Sequence, residues 1–159
     1  MAPDTRYGRF DMKKVELGAG APQETQSQFA ALCYRSAGKD GVEILLITSR
    51  DTGRWIIPKG WPMKGRNGSE TALQEAFEEA GVEGKSAATP IGVYSYDKVL
   101  DNGAVQPCIV SVFPVKVSKL RKKYPEVGQR TRRWFKPKKA AEKVNEEELR
   151  ALLANFAPA

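Results

Sequence analysis

The chain contains no histidine, only two cysteines, and no apolar run near the roughly 18 residues a membrane span needs. Each absence closes off chemistry. Without His there is no Ser-His or Cys-His nucleophile pair and no imidazole-ligated zinc, copper or iron centre. Cys33 and Cys108 make no CxxC pair, which excludes a thiolate zinc site. They sit in the apolar runs AALCYR and QPCIVSV and read as buried thiols in strands. General acid-base work is left to Glu, Asp, Lys, Tyr or a metal-bound water. The opening MAPDTRYGRF lacks the apolar core of a secretory signal, so the expected setting is reducing and cytoplasmic, without membrane contact.

What is present reads as one folded domain: 159 residues, 41% hydrophobic and 28% charged. The net charge of +7 is concentrated, because residues 116–143 carry twelve Lys and Arg against only Glu126 and Glu142. Such a stretch calls for an anionic partner: a polyphosphorylated small molecule, nucleic acid or acidic lipid. It is also what a solvated face looks like. Residues 1–25, rich in Gly, Ala, Pro and Gln, predict a partly mobile arm ahead of a domain over 26–159.

Phe29–Arg35 and Val42–Ser49 predict a hairpin around the Gly38-to-Gly41 turn, and Trp55-Ile56-Ile57 a short strand stopped by Pro58. A glycine-rich loop, 59–68, leads to a helix over Ser69–Ala80, with a capping box from Asn67 and Glu70 and a stop at Gly81. Pro90–Tyr96, Pro107–Val117 and Arg132–Lys136 read as further strands, and Pro137–Val144 as a helical turn or two. A last helix is predicted from a capping box at Asn145 and Glu148 and a stripe of Leu149, Leu152, Leu153 and Phe156. Gly84-Lys85-Ser86 imitates the end of a P-loop, but Glu79 stands where its first glycine belongs, so a helix-exit turn is expected there. The sum is a mixed sheet between helices, an α/β sandwich.

The chemistry concentrates in SETALQEAFEEAG. Ala72, Leu73, Ala76, Phe77 and Ala80 form one apolar stripe, and Glu75, Glu78 and Glu79 point the other way. Glu75 and Glu79, at i and i+4, repel unless something positive sits among their oxygens. Oxygen-only donors suit Mg2+, or Mn2+. Three glutamates alone read more readily as a solvated acidic face than as a metal site.

The residues before the helix add a longer pattern. Gly60 followed by Glu75, Glu78, Glu79, Gly81 and Val82 falls in register with the Nudix box, and the chain resembles the Nudix hydrolase family. That pattern runs Gly, five residues, Glu, seven residues, Arg-Glu-aliphatic-any-Glu-Glu-any-Gly-aliphatic. Two positions depart from it: Arg66 stands for the first Glu, and Gln74 for the Arg. In the family these two side chains fix the loop against the helix and orient the carboxylates, so that ion pair is missing here. Stretches from Phe29 to about Phe156, among them LLITSRDTGRWIIPKG, EEAGVEG and RRWF, look most like the branch that cleaves diphosphoinositol polyphosphates and diadenosine polyphosphates.

The resemblance implies a Nudix-type α/β/α sandwich with a mixed β-sheet and a Mg2+-dependent pyrophosphohydrolase. Backbone at Lys59 and Gly60, with Glu75 and Glu79, would hold the metal. Glu78 would reach a second ion or a bound water, and Glu75 is the first candidate for general base. Arg50, Lys59, Lys64, Arg66 and Arg132 are the expected phosphate contacts. The rival expectation is a catalytically weakened Nudix domain that docks RNA or another polyanion, with Tyr124, Trp134 and Phe135 as stacking platforms. The three retained glutamates favour the enzyme, which makes nucleic acid the less favoured partner.

Overall fold

A strand buried on both faces reads as a continuous apolar run, and FAALC at 29–33 is such a run. In the structure, a computed structural model that describes residues 24–158, it lies at the middle of an eight-stranded mixed sheet. Strand β1 (Gln26–Ser36) turns through a single 3-10 turn into β2 (Val42–Thr48), pairing Tyr34 with Ile44 and Ser36 with Val42. On its other side β1 runs parallel to β7 (Val105–Leu120), from Gln26 opposite Cys108 to Tyr34 opposite Lys116. The short strands β3 (Trp55–Ile56) and β8 (Arg132–Phe135) pair with β2, while β6 (Gly92–Val99) pairs with β7. The expected arm falls outside the described residues apart from Glu24 and Thr25.

Alternate residues of the central strands feed two cores. Ala31, Cys33, Leu45, Ile47, Phe113 and Val115 face helix α1 (Gly68–Ala80), whose Ala72, Ala76 and Ala80 are fully buried and let it lie close to the sheet. Ala30, Leu32, Ile44, Leu46, Tyr94, Val110 and Val112 face α2 (Pro137–Lys143) and α3 (Glu147–Ala154). This is the expected α/β/α sandwich with a mixed sheet. Both cysteines are buried and free.

Three local expectations need correcting. The segment around Gly84-Lys85-Ser86 is a strand, β5 (Val82–Ser86), paired antiparallel with β7 from Val82–Leu120 to Ser86–Val115 with a bulge after Glu83. Glycine is needed at 84 because a Cβ would strike the Lys116 carbonyl. The expected loop 59–68 opens with a two-residue strand, β4 (Lys59–Gly60), which sets Gly60 opposite Phe29 and Lys59 opposite Ala30. Helix α3 has no capping box, since its N-cap is Glu146. Glu148 instead accepts hydrogen bonds from the amide and hydroxyl of Ser95 on β6. The apolar stripe of α3 is as read, with Leu149 and Leu153 buried and Leu152 and Phe156 packed beside them.

Candidate active site

Helix α1 starts as its sequence dictates: Asn67 Oδ1 accepts from the Glu70 amide and Glu70 Oε1 from the Asn67 amide, each at 2.9 Å. It ends at Gly81, whose φ of 70° is the left-handed conformation that glycine adopts without strain. Its last two turns carry Glu75, Glu78 and Glu79 toward the negative end of the helix dipole, the unfavourable end for anions. The neighbouring elements offset this crowding.

Strand β4 lies beside the first and third of these carboxylates. Because Gly60 pairs with Phe29, its missing side chain faces α1, and the Glu75 carboxylate occupies the space where a Cβ would stand. Glu79, only 7% exposed, accepts from the Lys59 backbone amide at 3.4 Å. A fully solvated acidic face is thereby excluded for Glu79. Glu75 and Glu79 stand close enough to influence each other's ionisation. Burial, together with the adjacent Glu79, pushes Glu75 up to about 8. Burial also raises Glu79, although Arg130 opposes the shift. Two carboxyls in one site retain a proton between them in this way. Glu78 is turned aside, accepting from Gln74 Nε2 at 2.7 Å.

The second neighbour is the segment 121–131 between β7 and β8. It satisfies the carbonyls that a helix end leaves open. Arg121 donates its amide to Gly81 at 2.7 Å, and Glu126 donates its amide to Glu78 at 3.0 Å. From β8, Arg132 Nη1 donates to Ala80 at 2.6 Å. Arg130, its side chain 8% exposed, brings Nε to Glu126 Oε1 at 3.0 Å and Nη2 to Glu79 Oε2 at 3.9 Å, and donates Nη1 to the Thr48 carbonyl at 3.1 Å. Sequence alone does not single out Glu126, and it offers Arg130 only as one of several cations around the metal that serve substrate affinity, not as a partner of the carboxylates. The available signal was an acid alone within a basic stretch, four residues before an arginine.

The other expected site residues are distributed as follows. Arg50, exposed just beyond β2, donates to Gln129 at 3.2 Å and lies 4.0 Å from Glu126. Lys59 offers its backbone to the carboxylates, but its ammonium lies 5.0 Å from the centre of the Tyr96 ring on the α3 side of the sheet. Burial lowers that ammonium to about 8. Lys64 and Arg66 are exposed on the loop before α1, and Arg66 approaches only the Met63 sulfur, at 3.4 Å. Arg132 is occupied at the end of α1 and lies 5.0 Å from the Tyr124 ring centre. The basic stretch is not one patch: its cations are divided among β7, segment 121–131, β8 and α2. The proposed stacking platforms are also taken. Arg35 lies 4.1 Å over Trp134, Arg132 covers Tyr124, and Phe135 is buried edge-on against Trp55.

Among the described residues no three Asp, Glu or Cys side chains already converge as a metal-binding group. The Glu75–Glu79 pair nevertheless fits a hard divalent cation. It offers oxygen donors only, beside the backbone of β4, and crowds two carboxylates that a cation would neutralise.

Comparison with known proteins agrees with this layout. The family model described as NUDIX domain matches residues 25–156. Nudix hydrolase 12, mitochondrial, of Arabidopsis thaliana is 30% identical over 118 residues, covering 72% of this chain and 58% of that protein. Diphosphoinositol polyphosphate phosphohydrolase 3-beta of Bos taurus is 41% identical over 64 residues, covering 40% of this chain and 38% of that protein. The chain therefore spans less than two thirds of the length of either relative. The solved Ap4A hydrolase of C. elegans superposes with a TM-score of 0.58 at 16% identity, over 81% of this chain and 93% of that one, a likeness of fold.

Proposed function

This chain belongs to the NUDIX domain family, and we propose that it is a divalent-metal-dependent hydrolase that cleaves a diphosphate linkage in a polyphosphorylated small molecule. The observation that carries this reading is the Glu75–Glu79 pair, pressed against the β4 backbone at Gly60 and Lys59, in register with the family's box. Carboxylates crowded together in a partly buried site mark a place where a cation is wanted.

Glu75, Glu79 and the backbone at Lys59 and Gly60 would hold Mg2+, with Mn2+ as a substitute. Bound there, the metal supplies Lewis-acid polarisation of phosphoryl oxygens and a water of lowered pKa. The chain's own residues do the rest. Glu78, held by Gln74, stands next to the pair as a carboxylate for a second ion or an attacking water. Glu75 is the first candidate to accept that water's proton. Arg50, exposed beside Glu126, and Lys64 and Arg66, exposed on the loop before α1, are suited to the outer phosphates. Lys59 is suited to meet an anionic group from the far side of β4. With little covalent chemistry required, positioning and charge neutralisation carry the acceleration.

The substrate class best matched to so many cations is an inositol pyrophosphate or a dinucleoside polyphosphate. Two relatives point the same way, one named for diphosphoinositol polyphosphates and one for Ap4A. A reducing compartment such as the cytoplasm suits two free thiols. Release of phosphate or nucleotide from a panel of both substrate types, with and without Mg2+, tests the reading. Turnover that is indifferent to chelator would reject it.

A further inference from the structure

Position 74 holds an uncharged glutamine on a helix whose last two turns carry three glutamates, and its amide reaches only Glu78. Glu126 adds a fourth carboxylate from segment 121–131. Within 4.0 Å of Glu79 there is one cationic side chain among the described residues, that of Arg130. Its guanidinium donates Nε to Glu126 and Nη1 to the Thr48 carbonyl at the end of β2, while Nη2 lies 3.9 Å from Glu79, an ion-pair rather than a hydrogen-bond distance. The group is thus fixed at two points outside the helix before it meets the helix. Glu126 is fixed in turn, because its backbone amide donates to the Glu78 carbonyl.

We propose that Arg130 is the positioning residue for the carboxylates of α1, with Glu126 as its anchor, and that it supplies from outside the helix the charge that Gln74 does not supply from within. Lysine is not an equivalent, since one ammonium nitrogen cannot stand in the three separate positions that the guanidinium nitrogens occupy. The residue acts through Glu79: it limits where that carboxylate can turn, and so keeps one oxygen with the Lys59 amide and the group beside Glu75. Partners at this remove from a metal commonly change affinity or rate by about 10- to 100-fold when removed.

The inference rests on the reading that these carboxylates hold a divalent cation, and the two are tested separately by Mn2+ titration of the phosphate-free protein. No saturable binding to the unaltered chain removes the reading itself. If it binds, Arg130→Gln should weaken Mn2+ binding by roughly tenfold or more and lower kcat by a similar factor, with KM little changed. Arg130→Lys, which keeps the charge and guards against a variant that fails to fold, should recover only part of the loss. Gln74→Arg should matter little alone but restore much of the loss in Arg130→Gln, so the two changes are not additive. Unaltered Mn2+ affinity in a folded Arg130→Gln, full recovery by Arg130→Lys, or strictly additive effects with Gln74→Arg would each overturn it.

Discussion

Gly60 matters through what it lacks, since the Glu75 carboxylate occupies the space a side chain would fill. In Gly60→Ala the new methyl meets only the far end of a flexible side chain, so Glu75 swings away while strand β4 stays paired. Thermal midpoint should change little, and metal-dependent turnover should fall by about 10- to 100-fold. Equal losses of stability and turnover would mean that the glycine serves the strand alone. The proton on Glu75 makes a second prediction. In the folded, metal-free protein this group ionises near 8, well above the ordinary carboxylate range. Between those two values the folded state binds more protons than the unfolded one, so stability contributed by this group is lost as pH rises through about 8. Metal-free protein should therefore melt lower at pH 8 than at pH 6. Added Mg2+ should bind more tightly at the higher pH and release a proton on binding, detectable by calorimetry in buffers of different ionisation heat.

Elements whose signals are local were legible in the sequence, and elements defined by distant partners were not. The Asn67–Glu70 box, the Gly81 stop, the 38–41 turn and the leucine stripe of α3 each depend on residues a few positions apart. Strand β5 reads VEGKS, too short and too polar to announce itself, and exists because β7 runs on to Leu120 to pair with it. The Asn145 cap failed because Glu148 has a better partner on β6, more than fifty residues away in sequence. Within the site, the three glutamates were legible from helical spacing and Gly60 from the resemblance to the Nudix box. Glu126 was not, and Arg130 was legible only as a cation near the site, because segment 121–131 meets the carboxylates only by closing the end of α1. Arg132 belongs to that closure, and Arg132→Ala removes a charged donor from the Ala80 carbonyl. It should cost about 1.5–3 kcal/mol in urea unfolding while leaving KM nearly unchanged. A raised KM at full stability would return Arg132 to the phosphate-binding set.

The whole molecule carries +7, but its cations are divided among several elements, with Arg50 exposed after β2 and Lys64 and Arg66 exposed on the loop before α1. Exposed attraction of this kind is screened over about 8 Å at physiological ionic strength. Substrates with several phosphates should outrank nucleoside triphosphates at low salt and lose that advantage as salt rises. Arg50→Ala should raise KM more than it lowers kcat, because a contact made equally in ground and transition states contributes only to binding. If Glu75 and Glu79 hold the metal on which diphosphate cleavage depends, removing the charge of Glu79 should abolish it. The measurement is Mg2+-dependent hydrolysis of an inositol pyrophosphate and a dinucleoside polyphosphate by the unaltered chain and by Glu79→Gln. Metal-dependent turnover should collapse in Glu79→Gln although the variant melts as a folded protein. Undiminished turnover with unchanged metal dependence in that variant would contradict it.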